Sequence, residues 1–415
     1  MEKTPKSNRL HIALMGRTNV GKSSLLNLMA GQDIAITSPI AGTTTDIVEK
    51  AMELLPLGPV LFLDTAGLDD TSQLADARLE KTGKIFDRAD VIFLLTEPDI
   101  WSEFEETVLT EAKKRKIPML AIINKIDLKS PSADYLEALQ QKTGRAITVS
   151  CADSASRNKF LNDLKQRITE IIPVDFIAAP PLIGDLLPPG SLAVLVVPID
   201  LQAPKGRLIL PQVQTIRDAL DNDAAALVVK ERELSAALAN LKSLPAIVVT
   251  DSQAVLKVTA DVPKDIPVTT FSILFARQKA DLAAMARGAA VIDRLQPGDK
   301  VLIAEACSHH ALEDDIGRVK IPRWLKQYLG FDVQIDIFAG RDYPDNLDQY
   351  KLIIHCGACM LTRREMLSRL RKAREAGVGI TNYGVAISFL QGVIKRSLAP
   401  FPSALHALEK TLKEK

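Results

Sequence analysis

The sequence predicts an α/β protein of three domains, the first larger than the two parallel-sheet domains after it. Three observations predict it. Short aliphatic or β-branched runs alternate with helix-period stretches from residue 9 onward, the pattern of a parallel sheet covered by helices. A glycine-rich G-x-x-x-x-G-K-S stretch sits between the first such run and the first helix. Finally, Pro173, Pro180, Pro181, Pro188 and Pro189 crowd the passage between Ile172 and Gly190. Proline locks φ and removes a donor, so that passage reads as a stiff connector.

In order along the chain, "HIALMG", "PVLFLDT", "VIFLLT" and "MLAIIN" are expected as strands, with "KSSLLNLMAG" and "TVLTEAKKRK" as helices between them. This first domain is placed at residues 1–173. Strands "LAVLVVPI", "AAALVV" and "PAIVVT" then alternate with helices "PQVQTIRDALDND" and "ERELSAALANLKS". That segment, 174–268, carries no Cys, no His and no glycine-rich loop, so it is expected to serve docking or dimerisation. A long helical pattern, "ILFARQKADLAAMARGAAVIDRL", leads into a third α/β unit placed at 269–415.

Composition narrows the function classes. At 415 residues, with 47% hydrophobic and 25% charged residues, the chain is ordinarily globular. A net charge of +1 argues against a basic nucleic-acid surface. No apolar run approaches the roughly 18 residues of a membrane span, and the start lacks a signal-peptide core. A cytoplasmic protein with no membrane or nucleic-acid partner is expected. Four Cys in a chain of this length favour metal or redox chemistry over a disulfide framework.

"GRTNVGKSS", residues 16–24, is the phosphate loop. Gly16 and Gly21 let backbone N–H groups wrap phosphates and Lys22 reaches the β and γ phosphates. Ser23 offers a hydroxyl to Mg²⁺, and Ser24 completes the stretch. Three further motifs follow in order. In "DTAG", Asp64 holds Mg²⁺ through water and the Gly67 amide meets the γ-phosphate. In "NKID" (Asn124, Lys125, Asp127) the Asp carboxylate accepts two hydrogen bonds from guanine, which adenine cannot supply. "VSCA" (Ser150, Cys151, Ala152) brings a backbone amide to the guanine carbonyl, with Cys151 itself read as a small apolar residue. Together these specify GTP as the nucleotide.

The set resembles the TrmE/Era-like GTPases over about residues 9–172, including "AGTT" at Ala41–Thr44. The resemblance implies that Thr44 is the switch Mg²⁺ ligand, within a Thr43–Thr45 run that leaves the choice open by one position. It also implies that Asn19 binds K⁺, which supplies positive charge in place of an arginine finger. Leu68 stands where Ras-like enzymes position water with Gln, so hydrolysis is expected to need such help.

The remaining cysteines fall in two clusters of the third unit. "KVLIAEACSHH" ends in Cys307, Ser308, His309 and His310; "YKLIIHCGACM" carries His355, Cys356 and Cys359. Both come just past the carboxyl ends of expected parallel strands, where open sheets build their crevices. His309, two residues from Cys307, can face the same way as the thiol, whereas His355 directly precedes Cys356 and points oppositely in an extended segment. Three thiolates and one His suit zinc or a 4Fe–4S cluster with one open iron. Asn382 and Tyr383 at another strand end are further lining candidates. Glu313–Asp315 and the basic helix from Thr362 read as solvated faces.

The C-x-H … H-C-x-x-C pattern on a chain that starts with a TrmE-like GTPase resembles HydF, the maturation GTPases of [FeFe]-hydrogenase. The resemblance covers the whole chain. It implies that Cys307, Cys356 and Cys359 bind a 4Fe–4S cluster, its fourth iron held by His309 or His355 or left open. It implies a homodimer through the middle domain, or a larger assembly. It further implies a scaffold that receives a diiron precursor from two radical-SAM maturases and hands it to apo-[FeFe]-hydrogenase. The rival reading is an Era-like RNA- or ribosome-associated GTPase with a zinc-binding tail.

Overall fold

The structure is a computed structural model. It describes residues 5–30, 48–54, 58–64, 83–153, 155, 157–172, 180–198, 208–306, 315–340 and 343–414. Two compact units make up the chain, Met1–Ala179 and Pro180–Lys415. Among the described residues, no helix is long and apolar enough to cross a membrane.

Strands β1 (Leu10–Met15), β2 (Val48–Leu54), β3 (Gly58–Asp64), β4 (Val91–Thr96), β5 (Met119–Ile123) and β6 (Ala146–Thr148) form the sheet of the first unit. Their spatial order is β2-β3-β1-β4-β5-β6, parallel except for β2, which runs against β3. Helices α1 (Lys22–Ala30), α2 (Glu103–Lys114), α3 (Ala133–Thr143) and α4 (Arg157–Ile171) belong to the same unit. Strand alternation divides β1 between two cores. Leu10, Ile12 and Leu14 pack with Phe62, Phe93 and Leu164, while Ala13 and Met15 pack with Phe86 and Val108. Burial on both faces explains why these strands read as continuous apolar runs. β2 was not legible as a strand: its sequence "VEKAMEL" carries the charges of an edge strand.

In the second unit, one sheet is β7 (Leu192–Val196), β8 (Ala225–Val229), β9 (Ile247–Thr250) and β10 (Val268–Thr270), in spatial order β10-β9-β7-β8. The other is β11 (Lys300–Ala304), β12 (Gln334–Phe338), β13 (Leu352–His355) and β14 (Gly379–Asn382), in order β12-β11-β13-β14. All pairings in both are parallel. The helices are α5 (Leu210–Asp221), α6 (Leu234–Ala239), α7 (Val255–Asp261), α8 (Phe271–Lys279) and α9 (Leu282–Ala289), then α10 (Ile321–Leu329), α11 (Arg363–Glu375), α12 (Tyr383–Leu390), α13 (Ile394–Leu398) and α14 (Pro402–Lys413).

One hydrophobic core serves both sheets. Phe271, Leu274 and Phe275 of α8 join Ala193 and Leu195 of β7 to Leu302 of β11 and Ile353 of β13. The expected long helix after residue 271 is two helices. Ala280 is extended, and the Asp281 carboxylate caps α9 by accepting the Ala284 N–H at 2.9 Å. Gly288 of α9 passes so close to β14 that a Cβ would lie 2.0 Å from the Ile380 carbonyl oxygen. The architecture is thus a mixed α/β chain, an N-terminal P-loop sheet followed by two further parallel sheets.

Candidate functional site

The phosphate loop joins β1 to α1. Gly16 has φ +157° and Gly21 φ +100°, and Asn19 also stands in the left-handed region at φ 63°. A Cβ on Gly21 would sit 2.2 Å from Asn124 Nδ2, so glycine is required for space as well as for φ. The Lys22 ammonium turns back into the loop, donating to the Gly16 carbonyl and, at 3.0 Å, to that of Arg17. Ser23 and Ser24 are exposed at the N-terminus of α1, where backbone N–H groups and the helix dipole favour an anion.

Asp64 ends β3 and is buried, with Lys50 Nζ 3.7 Å from one carboxylate oxygen. Its other oxygen, Oδ1, is buried without a hydrogen-bond partner among the described residues. An unsatisfied carboxylate oxygen fits a water-coordinated Mg²⁺, whose charge would offset the desolvation. Thr44 and Gly67, the other two residues assigned to this centre from the sequence, lie outside the described residues, as does Leu68.

Asn124, at the end of β5, ties three motifs together. Its Nδ2 donates to the Val20 carbonyl at 2.8 Å and its Oδ1 accepts the Cys151 N–H at 3.1 Å. Asp127 is exposed, and one carboxylate oxygen accepts the Ser150 hydroxyl at 2.6 Å, fixing its orientation for a base. Ala152 is exposed beside it. Burial, and then the nearby Asp127 charge, push the Cys151 thiol up to about 12, so it stays neutral. Sequence reasoning missed two acids here. Glu97 accepts from Lys125 and lies 3.7 Å from Arg17 of the phosphate loop, while buried Glu105 accepts from Arg17 Nε at 2.8 Å. Neither falls in a nucleotide motif, so only the fold could reveal them.

At the other site, β11 and β13 lie side by side and end together, Ala304 opposite His355. The Cys356 N–H donates to the Ala304 carbonyl at 2.9 Å, and the Ala306 N–H donates to Cys356 Sγ at 3.1 Å. The chain then turns through Ala358, at φ 55°, and enters α11 at Thr362, whose hydroxyl caps it with Glu365 as reciprocal partner. Burial raises the Cys359 thiol while the Lys279 charge opposes the rise.

His355 is fully buried and both its ring nitrogens are engaged. A guanidinium only donates, so Nε2 accepts from Arg369 at 2.8 Å and Nδ1 carries the proton given to the Cys356 carbonyl at 2.9 Å. Burial, reinforced by the Arg369 charge, brings the imidazole down to about 3. Arg369 also stacks 4.8 Å over Tyr343 and reaches the Gly340 carbonyl at 3.3 Å. Cys307, His309 and His310, with Glu313 and Asp314, lie outside the described residues, and among the described residues no three His, Cys, Asp or Glu side chains gather as a metal cage.

Other expected neighbours resolve differently. Asn382 is a buried cap for α12 and binds Ser272, and Asp315 is buried and caps the turn at Arg318, so neither is a solvated or ligand-facing group. Glu305 instead takes hydrogen bonds from Tyr383 at 3.3 Å and Arg318 at 3.2 Å, and the Tyr383 hydroxyl is pushed well up by burial and the nearby Cys356. Lys279 was not foreseen: a lysine at the end of a helix ordinarily reads as a surface residue. It is buried against the C-x-x-C turn and brought down to about 8 by that burial. Soft sulfur donors, an N–H on one sulfur and a buried cation fit an anionic metal–thiolate group.

Comparison with known proteins agrees with this division. The family model described as "50S ribosome-binding GTPase" matches residues 11–125. A "tRNA modification GTPase MnmE" from Dechloromonas aromatica is 36% identical over 164 residues, 39% of this chain and 35% of its own length. The corresponding protein of Bordetella avium is 40% identical over 129 residues, 31% of this chain and 28% of its own. The chain thus spans about a third of the length of these relatives. The solved G domain of the FeoB iron transporter of T. maritima is 20% identical with a TM-score of 0.31, over 39% of this chain and 98% of that one. At that score the likeness adds nothing to the fold already described.

Beyond the GTPase domain, "Hydrogen maturase F dimerization domain" matches residues 182–280 and "Hydrogen maturase F tetramerization domain" matches 283–400. Both models describe self-association. With more than half of the residues covered by two modules of one family, behind a GTPase domain, the chain belongs to the hydrogen maturase F family, HydF.

Proposed function

We propose that the chain is a GTP-hydrolysing scaffold and carrier for maturation of the [FeFe]-hydrogenase active site. Residues 1–173 bind and hydrolyse GTP, 174–268 pair subunits, and 269–415 hold a 4Fe–4S cluster. The observation that carries the reading is the hydrogen bond from Ala306 N–H to Cys356 Sγ, because the residue after Ala306 is Cys307. The chain leading into the first cysteine motif thereby meets Cys356 at the ends of adjacent strands, which supports bringing the two motifs to one site. Cys307, Cys356 and Cys359 would hold the cluster. With both His355 nitrogens engaged by Arg369 and Cys356, His309 is the histidine we assign to the fourth position, unless that position stays open. Such a cluster supplies an exchangeable corner through which a diiron cargo is held.

In the first unit Lys22 and the loop amides draw charge from the phosphates, Ser23, Thr44 and Asp64 hold Mg²⁺, and the Gly67 amide meets the γ-phosphate. Asp127, oriented by Ser150, reads guanine. The cargo is received from the radical-SAM maturases and passed to apo-[FeFe]-hydrogenase, with GTP state gating the exchange of partners.

Asn19, exposed in the phosphate loop, is proposed to bind K⁺. GTP turnover at equal ionic strength is expected to be about tenfold faster in K⁺ than in Na⁺, and Asn19→Ala should remove the difference. Identical rates in both salts would take Asn19 out of this role. The reading as a whole is tested by metal analysis and EPR of reduced, anaerobically purified protein. Iron with a 4Fe–4S signal is expected; a colourless protein with stoichiometric zinc would overturn it in favour of an Era-like GTPase with a zinc-binding tail.

A further inference from the structure

Helix α8 spans from the second sheet to the cysteine turn. At its start, the Ser272 carbonyl and hydroxyl accept from Asn382 Nδ2 at 2.7 and 3.0 Å, and the hydroxyl also accepts the Gly384 N–H at 3.1 Å. At its end, Lys279 is only 4% exposed. Its ammonium donates to the carbonyls of Ala358 at 3.3 Å, Cys359 at 3.2 Å and Leu361 at 2.7 Å. Those three acceptors match its three N–H donors. Burying an ammonium costs several kcal/mol before compensation, and an apolar side chain of similar length would fill the same space more cheaply. The position therefore serves the turn it holds. Both cysteine thiols and Glu365 interact electrostatically with this cation. It also sits at the C-terminal end of α8, where the helix dipole favours positive charge.

We propose that Lys279 is a positioning residue of the cysteine site, fastening the Cys356–Leu361 turn and placing a desolvated positive charge beside the sulfurs. It rests on the reading that these cysteines hold a cluster. The charge then favours the reduced, more negative cluster over the oxidised one, and the clamp keeps Cys356 and Cys359 at a fixed separation whether or not metal is bound.

The test uses the full chain with Lys279→Met, Lys279→Gln and Lys279→Arg. In metal-free protein, hydrogen exchange of amides in residues 356–361 is expected to quicken at least about tenfold in the Met variant and stay near wild type in the Arg variant. In anaerobically reconstituted protein, EPR-monitored titration is expected to show a more negative potential for Met and Gln. At fixed potential the reduced-to-oxidised ratio should fall about tenfold, or ~59 mV for one electron. Arg should restore it. A merely structural residue would leave that potential unmoved.

Unchanged exchange in the Met variant would overturn the clamp. Wild-type potential in a fully loaded Gln variant would overturn the electrostatic role. If wild-type protein takes up no iron, the cluster reading fails, while the exchange experiment still decides the clamp. Should the Met variant not fold, Gln against Arg decides the charge.

Discussion

Gly21→Ala is expected to lower kcat/KM for GTP hydrolysis by about 10²- to 10³-fold. The backbone there has φ +100°, which costs an alanine roughly 1–2 kcal/mol. Its Cβ would also lie 2.2 Å from Asn124 Nδ2. Asn124 would have to move, and with it the bonds to the Val20 carbonyl and the Cys151 N–H. Leaving such buried groups unpaired costs about 1–3 kcal/mol each. With one of the two bonds lost, the sum, roughly 2–5 kcal/mol, falls on the joint between the phosphate loop and the Asn124 and Cys151 loops rather than on the core. Binding of a fluorescent GTP analogue and steady-state hydrolysis would measure it. A variant with wild-type kcat/KM would mean that the loop relaxes without disturbing Asn124.

Cys356→Ala and Cys359→Ala are each expected to reduce bound iron to background after anaerobic reconstitution, because two remaining thiolates do not hold a 4Fe–4S cluster. GTP hydrolysis should stay within about twofold of wild type, since the cysteines and the phosphate loop lie in different compact units. Iron analysis and phosphate release on the same preparation give both answers. Full iron retention would remove that cysteine from the ligand set. A collapse of hydrolysis would show that the cluster unit supports the GTPase directly.

The phosphate loop's place between β1 and α1 was legible in the sequence because the pattern that marks it is local. Gly16, Gly21, Lys22 and Ser23 act within one loop, and a loop between a strand and a helix has few geometries available to it. Glu97 and Glu105 escaped because they act by pairing across distant segments with Lys125 and Arg17. The strands read from apolar runs are buried on both faces, except β8, a partly exposed edge strand whose run of Ala, Leu and Val was still legible. β2, β6, β10 and β12 are edge strands of their sheets and two of them span only three residues, too little for a periodicity to register.

By itself the sequence determined the α/β class, the order of the nucleotide motifs and the pairing of a GTPase with a split cysteine pattern. Each of these is carried by residue type and spacing. Only the tertiary structure decided that Arg369 and Cys356 occupy both nitrogens of His355, and that α8 is a separate helix ending beneath the cysteine turn. It also decided that Lys279 is buried there on three carbonyls. The physical reason is desolvation. Whether a histidine ligates or a lysine faces water depends on which partners surround it when water is excluded, and those partners come from segments far apart in the chain.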